Sequence, residues 1–338
     1  SYNNHWGVPL SLARMPADTQ FAIFEIGMNH PGEIAPLSKM VQPHVAMITT
    51  VAPAHMEAFE SLEGIAREKA DVLAGLMPGG AAILPADVPT IDILVQAALA
   101  KGATIVGFGE TAEAFRLTAL EMHHDVTVIQ ARLRGVPAVL RLNTLGRHFA
   151  VNAMGVLAAV EALSGDPTRA AVDLFRWQPP AGRGRRERIS LDPADTNAYF
   201  ELIDDAYNAN PASMAAALEV LAASDPQEQI GRGPRRVAIL GDMLELGQEE
   251  ERSHAQLAVN NHLLTVDVVH CVGPRMRACY DALPTALRGR WVPEAQELAS
   301  GLGELIAPGD RVLVKGSLGS KVSMIVDLIR NLGHRSQP

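Results

Sequence analysis

VAMITTVAPAHMEAFESLEGIAREKADVLAGL, residues 45–76, is the stretch on which the fold turns. Its first seven residues, Val45 to Val51, are rich in β-branched side chains and lie between Pro43 and Pro53, the pattern of a short strand buried on both faces of a parallel sheet. The loop that follows then sits at a carboxyl strand end, where ligands collect in open α/β sheets. Ser61 is placed to cap the next helix, with Gly64 at the position where a capping box has Glu, and Ile65, Val72, Leu73 and Leu76 supply an apolar stripe. Lys69 falls on that stripe, downstream of His55 in the loop. Two readings stay open for it: a buried stem under a solvated ammonium, or a lysine withdrawn from water for chemistry.

Outward from this stretch the chain alternates strands and helices. FAIFEIG, 21–27, reads as a buried strand whose last residues are Glu25 and Gly27, the acid being either a capping or salt-bridged residue or one placed beside a phosphate site to hold Mg²⁺. Gly79–Leu84 and Thr104–Phe108 read as strands with a helix, Ile91–Lys101, between them, hence a parallel sheet. Residues 115–142 switch to period-two alternation with turn residues and are expected to add antiparallel strands. His123 and His124 alternate across such a strand, cannot hold one metal together, and are taken as surface residues. LGRHFAVNAMGVLAAVEALSG, 145–165, is a glycine-led turn into a helix with a small-residue face; Asn152 in its first turns either packs as a satisfied polar group or meets a ligand.

RWQPPAGRGRRERI breaks all regularity, so a domain boundary is placed there, dividing the chain into 1–178 and 179–338. Its arginines at 183, 185, 186 and 188 suggest an anion clamp in the joint. The second half restarts the rhythm as a Rossmann-like domain: strand Tyr199–Ile203, helix Ala212–Ala223, strand Val237–Leu240, a helix over 249–264, and strands Val266–Val272 and Arg311–Val314 with a last helix to Leu332. Asp204, Asp205, Asn208 and Asn210, then Gly241 and Asp242, then Lys315 and Ser317 follow three of these strands and outline a ligand crevice. No glycine pattern matches a dinucleotide fingerprint, which argues against a nicotinamide enzyme.

With 338 residues, two cores are expected, and 48% hydrophobic residues suffice for both. A net charge of -9 argues against nucleic acid or an anionic membrane surface as partner. The two cysteines, Cys271 and Cys279, make neither a disulfide framework nor a four-thiolate site, and a reducing, cytoplasmic home is expected. No apolar run approaches the roughly 20 residues of a membrane helix, so no membrane insertion is expected.

NNHWGVPL (3–10), FEIGMNHPGEI (24–34), TTVAPAHMEAFESLEGIAREKADV (49–72), GRHFAVNA (146–153), Gly182-Arg183, IDDAYNANPASM (203–214), ILGDMLELG (239–247) and LVKGS (313–317), in this order, resemble the Mur ligases of peptidoglycan synthesis. The resemblance covers the whole chain. It implies an α/β architecture: a P-loop-type central ATPase domain, mostly parallel with an antiparallel addition, then the Rossmann-like domain. It also implies an ATP-dependent ligase, a monomer, that joins D-alanyl-D-alanine to UDP-N-acetylmuramoyl-tripeptide through an acyl phosphate.

By the same resemblance, Glu25 and His55 are Mg²⁺ ligands and Lys69 is a carbamylated lysine that helps hold a second ion, since Mg²⁺ prefers oxygen and a carbamate supplies two. Asn152 is implied at the adenine, Arg183 and Asp205 at the ATP phosphates and ribose, and Asn3, Asn4, Asn208, Asn210 and Lys315 on the substrate side. Phe149 stands where many relatives have Asn, and Leu318 where Arg is usual. No G-x-x-x-x-G-K-[ST] loop occurs in these residues. The chain is therefore expected to be a fragment, lacking the family's phosphate loop and UDP-binding domain and inactive alone; a non-catalytic scaffold derived from the family is the competing expectation.

Overall fold

The computed structural model describes residues 2–54, 56–192, 194–195, 198–226 and 233–332. The chain divides into two units: Ser1–Glu121, Val128–Leu142 and Arg147–Arg176 form one, and Met122–Thr127, Asn143–Gly146 and Trp177–Pro338 the other.

The first unit is built on a sheet of strands β1 (Val45–Met47), β2 (Ala81–Pro85), β3 (Thr104–Gly109), β4 (Phe115–His123), β5 (Val126–Leu133) and β6 (Val136–Leu142), which neighbour one another in that order. β1 to β4 pair in parallel. The last two joints are two-residue loops, too short for anything but antiparallel hairpins; the second turns on Arg134 (φ 51°) and Gly135 (φ 82°), the paired positive φ values that match hairpin twist. His123 and His124 are exposed, as expected, with His124 in the turn and not the strand.

Helices α1 (Gly7–Arg14), α2 (Ile34–Val41), α3 (Leu62–Ala70), α4 (Ile91–Ala100), α5 (Arg147–Ala162) and α6 (Pro167–Asp173) complete this unit. Because strand side chains alternate, Ala82 and Leu84 join Ile65 and Leu94 in one core while Ile83 joins Val106, Phe108, Met154 and Leu157 in another. The small-residue face of α5 has a mechanical reason. A Cβ on Gly155 would come within 2.4 Å of Met47 Cε and 3.1 Å of the Phe108 ring, so a larger residue there would make the Met47 side chain and the Phe108 ring shift.

One expected strand is absent. Residues 21–28 form no strand, and Phe21 and Ile23 are 67% and 96% exposed. β-propensity makes a strand only where a neighbour accepts its hydrogen bonds, and β1 pairs only with β2 among the described residues.

The second unit has the strands β7 (Arg185–Ser190), β8 (Tyr199–Asp205), β9 (Arg236–Gly241), β10 (Val268–Val272), β11 (Arg288–Val292) and β12 (Arg311–Lys315), in the spatial order β11-β10-β9-β12-β8-β7. All pairs are parallel except β7 with β8. Helices α7 (Pro211–Ala223), α8 (Glu250–Leu257), α9 (Met276–Ala282), α10 (Ala295–Ala299), α11 (Leu302–Leu305) and α12 (Ser323–Arg330) cover both faces. Ala238, Leu240 and Leu313 pack with Met214 and Leu218 of α7; Val237, Ile239, Val312 and Val314 pack with Ile325 and Ile329 of α12.

Strand β7 corrects the reading of a wholly irregular basic linker. Arg186 pairs with Glu201 and lies 2.6 Å from Asp125, while Arg188 stacks 3.4 Å from the Tyr199 ring centroid. These two arginines are committed within the fold and are not a free anion clamp. The helix expected over 249–264 stops at Leu257.

Candidate functional site

Each unit carries part of the expected machinery. In the first, Ser61 Oγ accepts a hydrogen bond from Gly64 N (3.2 Å) and starts α3 where the sequence places it. Glu68, 6% exposed, accepts from Gly32 N (2.7 Å) and Ile34 N (2.9 Å), tying the Gly/Pro-rich loop and the start of α2 to α3. Sequence reading missed this residue; its only signal was a carboxylate beside Lys69.

Lys69 is half-buried and makes no hydrogen bond or ion pair among the described residues. Burial pushes its pKa below the ordinary lysine value, so more of it is the free amine. Glu25 is exposed and accepts from Asn3 Nδ2 (2.8 Å); Gly27 N donates to Asn3 O (2.9 Å). Asn4 uses its side chain locally, Oδ1 accepting from Trp6 N and Gly7 N at the start of α1. Asn152 is half-buried on α5, and Phe149 is half-buried beside it. His55 lies outside the described residues. No group of three or more His, Cys, Asp or Glu able to hold a metal occurs among the described residues.

In the second unit the carboxyl strand ends do converge. Lys315, 2% exposed, closes β12 and places Nζ 2.8 Å from Asp205 of β8 and 2.8 Å from Asn208 O. Burial raises the Asp205 pKa while Lys315 pulls it back. Ser317 ties its own loop to two others: its N–H donates to Asp242 O (3.0 Å) and its hydroxyl accepts from Leu244 N (3.0 Å) on the loop after β9, and its hydroxyl donates to Ala209 O (3.3 Å) on the loop after β8. His254, fully buried, accepts from Met243 N at Nε2 (2.9 Å), which leaves Nδ1–H to donate to Glu250 O (2.7 Å). The loops after the three polar strand ends are therefore joined to one another.

Asn210 is the cap of α7, its side chain accepting from Ser213 N and its N–H donating to Ser213 Oγ. Asn208 is exposed and offers Lys315 a main-chain oxygen. Arg183 is exposed on a turn at the end of β8, with its guanidinium 4.6 Å over the Tyr207 ring. That aromatic seat was not foreseen, although Tyr207 stands in the same motif. Leu318 is 60% exposed next to Ser317.

The Mur ligase middle domain matches residues 1–160, and the Mur ligase, glutamate ligase domain matches residues 184–318. The UDP-N-acetylmuramoyl-tripeptide--D-alanyl-D-alanine ligase of Rickettsia prowazekii is 31% identical over 329 residues, which are 97% of this chain and 70% of the relative. Among solved structures, MurF from Acinetobacter baumannii superposes with a TM-score of 0.83 at 29% identity, covering 97% of this chain and 69% of that one. The MurF ligase of Thermotoga maritima in complex with ADP shares the fold with a TM-score of 0.81 at 20% identity, over 98% and 72% of the two chains.

Proposed function

This chain belongs to the Mur ligase family, and from that premise we propose that it joins D-alanyl-D-alanine to UDP-N-acetylmuramoyl-tripeptide with ATP, in peptidoglycan precursor synthesis. One observation carries the reading: a ligase of that name matches 97% of the chain, and in this chain the loops of IDDAYNANP, GDMLELG and LVKGS meet at Lys315 and Ser317. The competing reading, a non-catalytic scaffold derived from the family, is not favoured by relatives that are named as ligases.

In the proposed reaction a carboxylate oxygen of the tripeptide attacks the γ-phosphorus and ADP leaves. The dipeptide amine then attacks the acyl carbon, losing a proton as phosphate departs. Positioning and charge neutralisation are what a protein supplies to such a transfer. Arg183 meets the nucleotide phosphates from its seat on Tyr207, Asp205 the ribose, and Asn152 the adenine. Asn3, Asn208 and Lys315 face substrate, as do Asn4 and Asn210 through whatever capacity their caps leave.

Mg²⁺ would be held by Glu25, His55 and Lys69 as its carbamate. The chemistry of the donor set supports this: an ammonium repels a cation, but a partly desolvated lysine with a lowered pKa presents the free amine that adds CO₂ and becomes a two-oxygen anion. Bound there, the ion supplies countercharge to phosphate oxygens. The reading includes a cytoplasmic monomer with no nucleic-acid or membrane partner. No described helix is long and apolar enough to cross a membrane.

The test is ADP release by the intact protein given ATP, Mg²⁺ and both substrates. Release that depends on both, with the pentapeptide product formed, supports the proposal; release indifferent to the dipeptide overturns it.

A further inference from the structure

Asp204 closes β8 beside Asp205, and it is buried, 4% exposed. Two adjacent carboxylates at one strand end repel each other and need separate countercharges. Lys315 answers Asp205. Asp204 is answered from the far end of the chain, where Arg330, in the last turn of α12, places Nη2 2.8 Å from Asp204 Oδ2. Glu187 of β7 fixes that guanidinium from another side, accepting from Nε at 3.0 Å and from Nη2. Arg330 is the one cation in ion-pair contact with Asp204 among the described residues.

The same carboxylate holds the turn that carries Arg183. Asp204 Oδ2 accepts from Gly182 N (3.0 Å), and its main-chain oxygen accepts from Gly184 N (2.8 Å). Gly182 has φ +76°, and its carbonyl accepts from Tyr207 N (3.1 Å). Arg183 is thus pinned on both sides by Asp204, while its guanidinium rests on Tyr207 and forms no ion pair among the described residues. That freedom depends on charge partition. With Arg330 removed, Asp204 is a buried carboxylate without a cation, and Arg183 is the cation tethered beside it.

We propose that Arg330 is a positioning residue for ligation: by neutralising Asp204 it locks the Gly182–Gly184 turn and keeps the Arg183 guanidinium free for nucleotide phosphate. The proposal rests on the reading that Arg183 meets ATP. Arg330→Met keeps an unbranched apolar stem and removes the charge and hydrogen bonds of the guanidinium. It lowers kcat on the order of 10-fold to 10²-fold, the range of a displaced catalytic contact, and leaves KM for D-alanyl-D-alanine unchanged. Two further variants separate this role from a structural one. In an Arg183→Ala background Arg330→Met costs no further rate, because the group it positions is gone. The pair Asp204→Asn with Arg330→Met recovers most of kcat, since a neutral amide still accepts from Gly182 N and no longer draws Arg183.

The experiment is steady-state kinetics of the intact protein and these variants, with thermal midpoints alongside. A full rate in Arg330→Met overturns the inference, as does the same fold loss with and without Arg183. If Arg330→Met does not fold, the paired variant decides, and a slow paired variant at an unchanged midpoint overturns the inference. A full rate in Arg183→Ala instead overturns the nucleotide role of Arg183 beneath it.

Discussion

Lys315 Nζ lies 2.8 Å from the Asp205 carboxylate, and the two residues face each other across the last rung of the parallel β8–β12 ladder. The register of two strands therefore sets a charge pair at the carboxyl edge of the sheet, where ligands of open α/β folds collect. Removing one partner leaves the other buried and unpaired, which costs far more than removing both. Lys315→Met is expected to lose about 3 kcal/mol of unfolding free energy, and adding Asp205→Asn to restore part of it. Denaturant unfolding of the two variants checks this; a double variant weaker than Lys315→Met would show that the pair is not the source.

His270 is 3% exposed on β10, and its Nδ1 accepts from Arg290 N at 2.9 Å. Burial, with Arg290 and Arg235 nearby, lowers its pKa from 6.5 to about 4. Between these values the unfolded chain takes up the proton and the folded chain does not. The contribution is present above pH 6.5 and is lost as the pH falls toward 4, on the order of 3 kcal/mol in all. His270→Asn keeps an acceptor for Arg290 N and should flatten that part of the stability profile. Parallel pH profiles for the two proteins would rule it out.

Lys69 offers a test independent of turnover. Protein equilibrated with ¹³C-bicarbonate should show a carbamate carbon signal that is absent in Lys69→Ala. That variant should not ligate, and a small carboxylic acid should restore part of its rate by filling the gap with oxygens. Full turnover by Lys69→Arg would end the carbamate reading.

Glu68→Gln should be destabilised by roughly 2 kcal/mol, because one of the two backbone donors it holds, Gly32 N or the buried Ile34 N, then faces an amide NH₂. Amide exchange of residues 29–34 should quicken with it. Unchanged exchange there would mean that the loop is held by other contacts.

The chemistry-bearing stretches were legible because each combines a local rule with an unusual residue. Ser61 before an apolar stripe is a cap, and it caps α3. The polar groups after three apolar strands were expected to lie together, and Ser317 joins those three loops. Strands β7 and β11 were not legible. RRERIS and RGRWV carry the composition of a solvated charge run, and only pairing with β8 and β10 makes them strands.

What the sequence determined by itself was the alternation of strands and helices, the family, and a set of candidate groups for its chemistry, since periodicity and residue type are local properties. Tertiary structure decided which of those groups are free to act. Asn4 and Asn210 are the same residue type as Asn152, yet both spend side-chain oxygens on helix starts. Arg186 and Arg188 share one basic run with Arg183, but strand pairing turns them onto Glu201 and Tyr199 while Arg183 stays uncommitted on its turn. FAIFEIG has the residues of a strand and remains unpaired among the described residues. In each case the deciding quantity is a partner distant in sequence: a hydrogen-bond acceptor, a countercharge or a neighbouring strand. No local pattern can specify one.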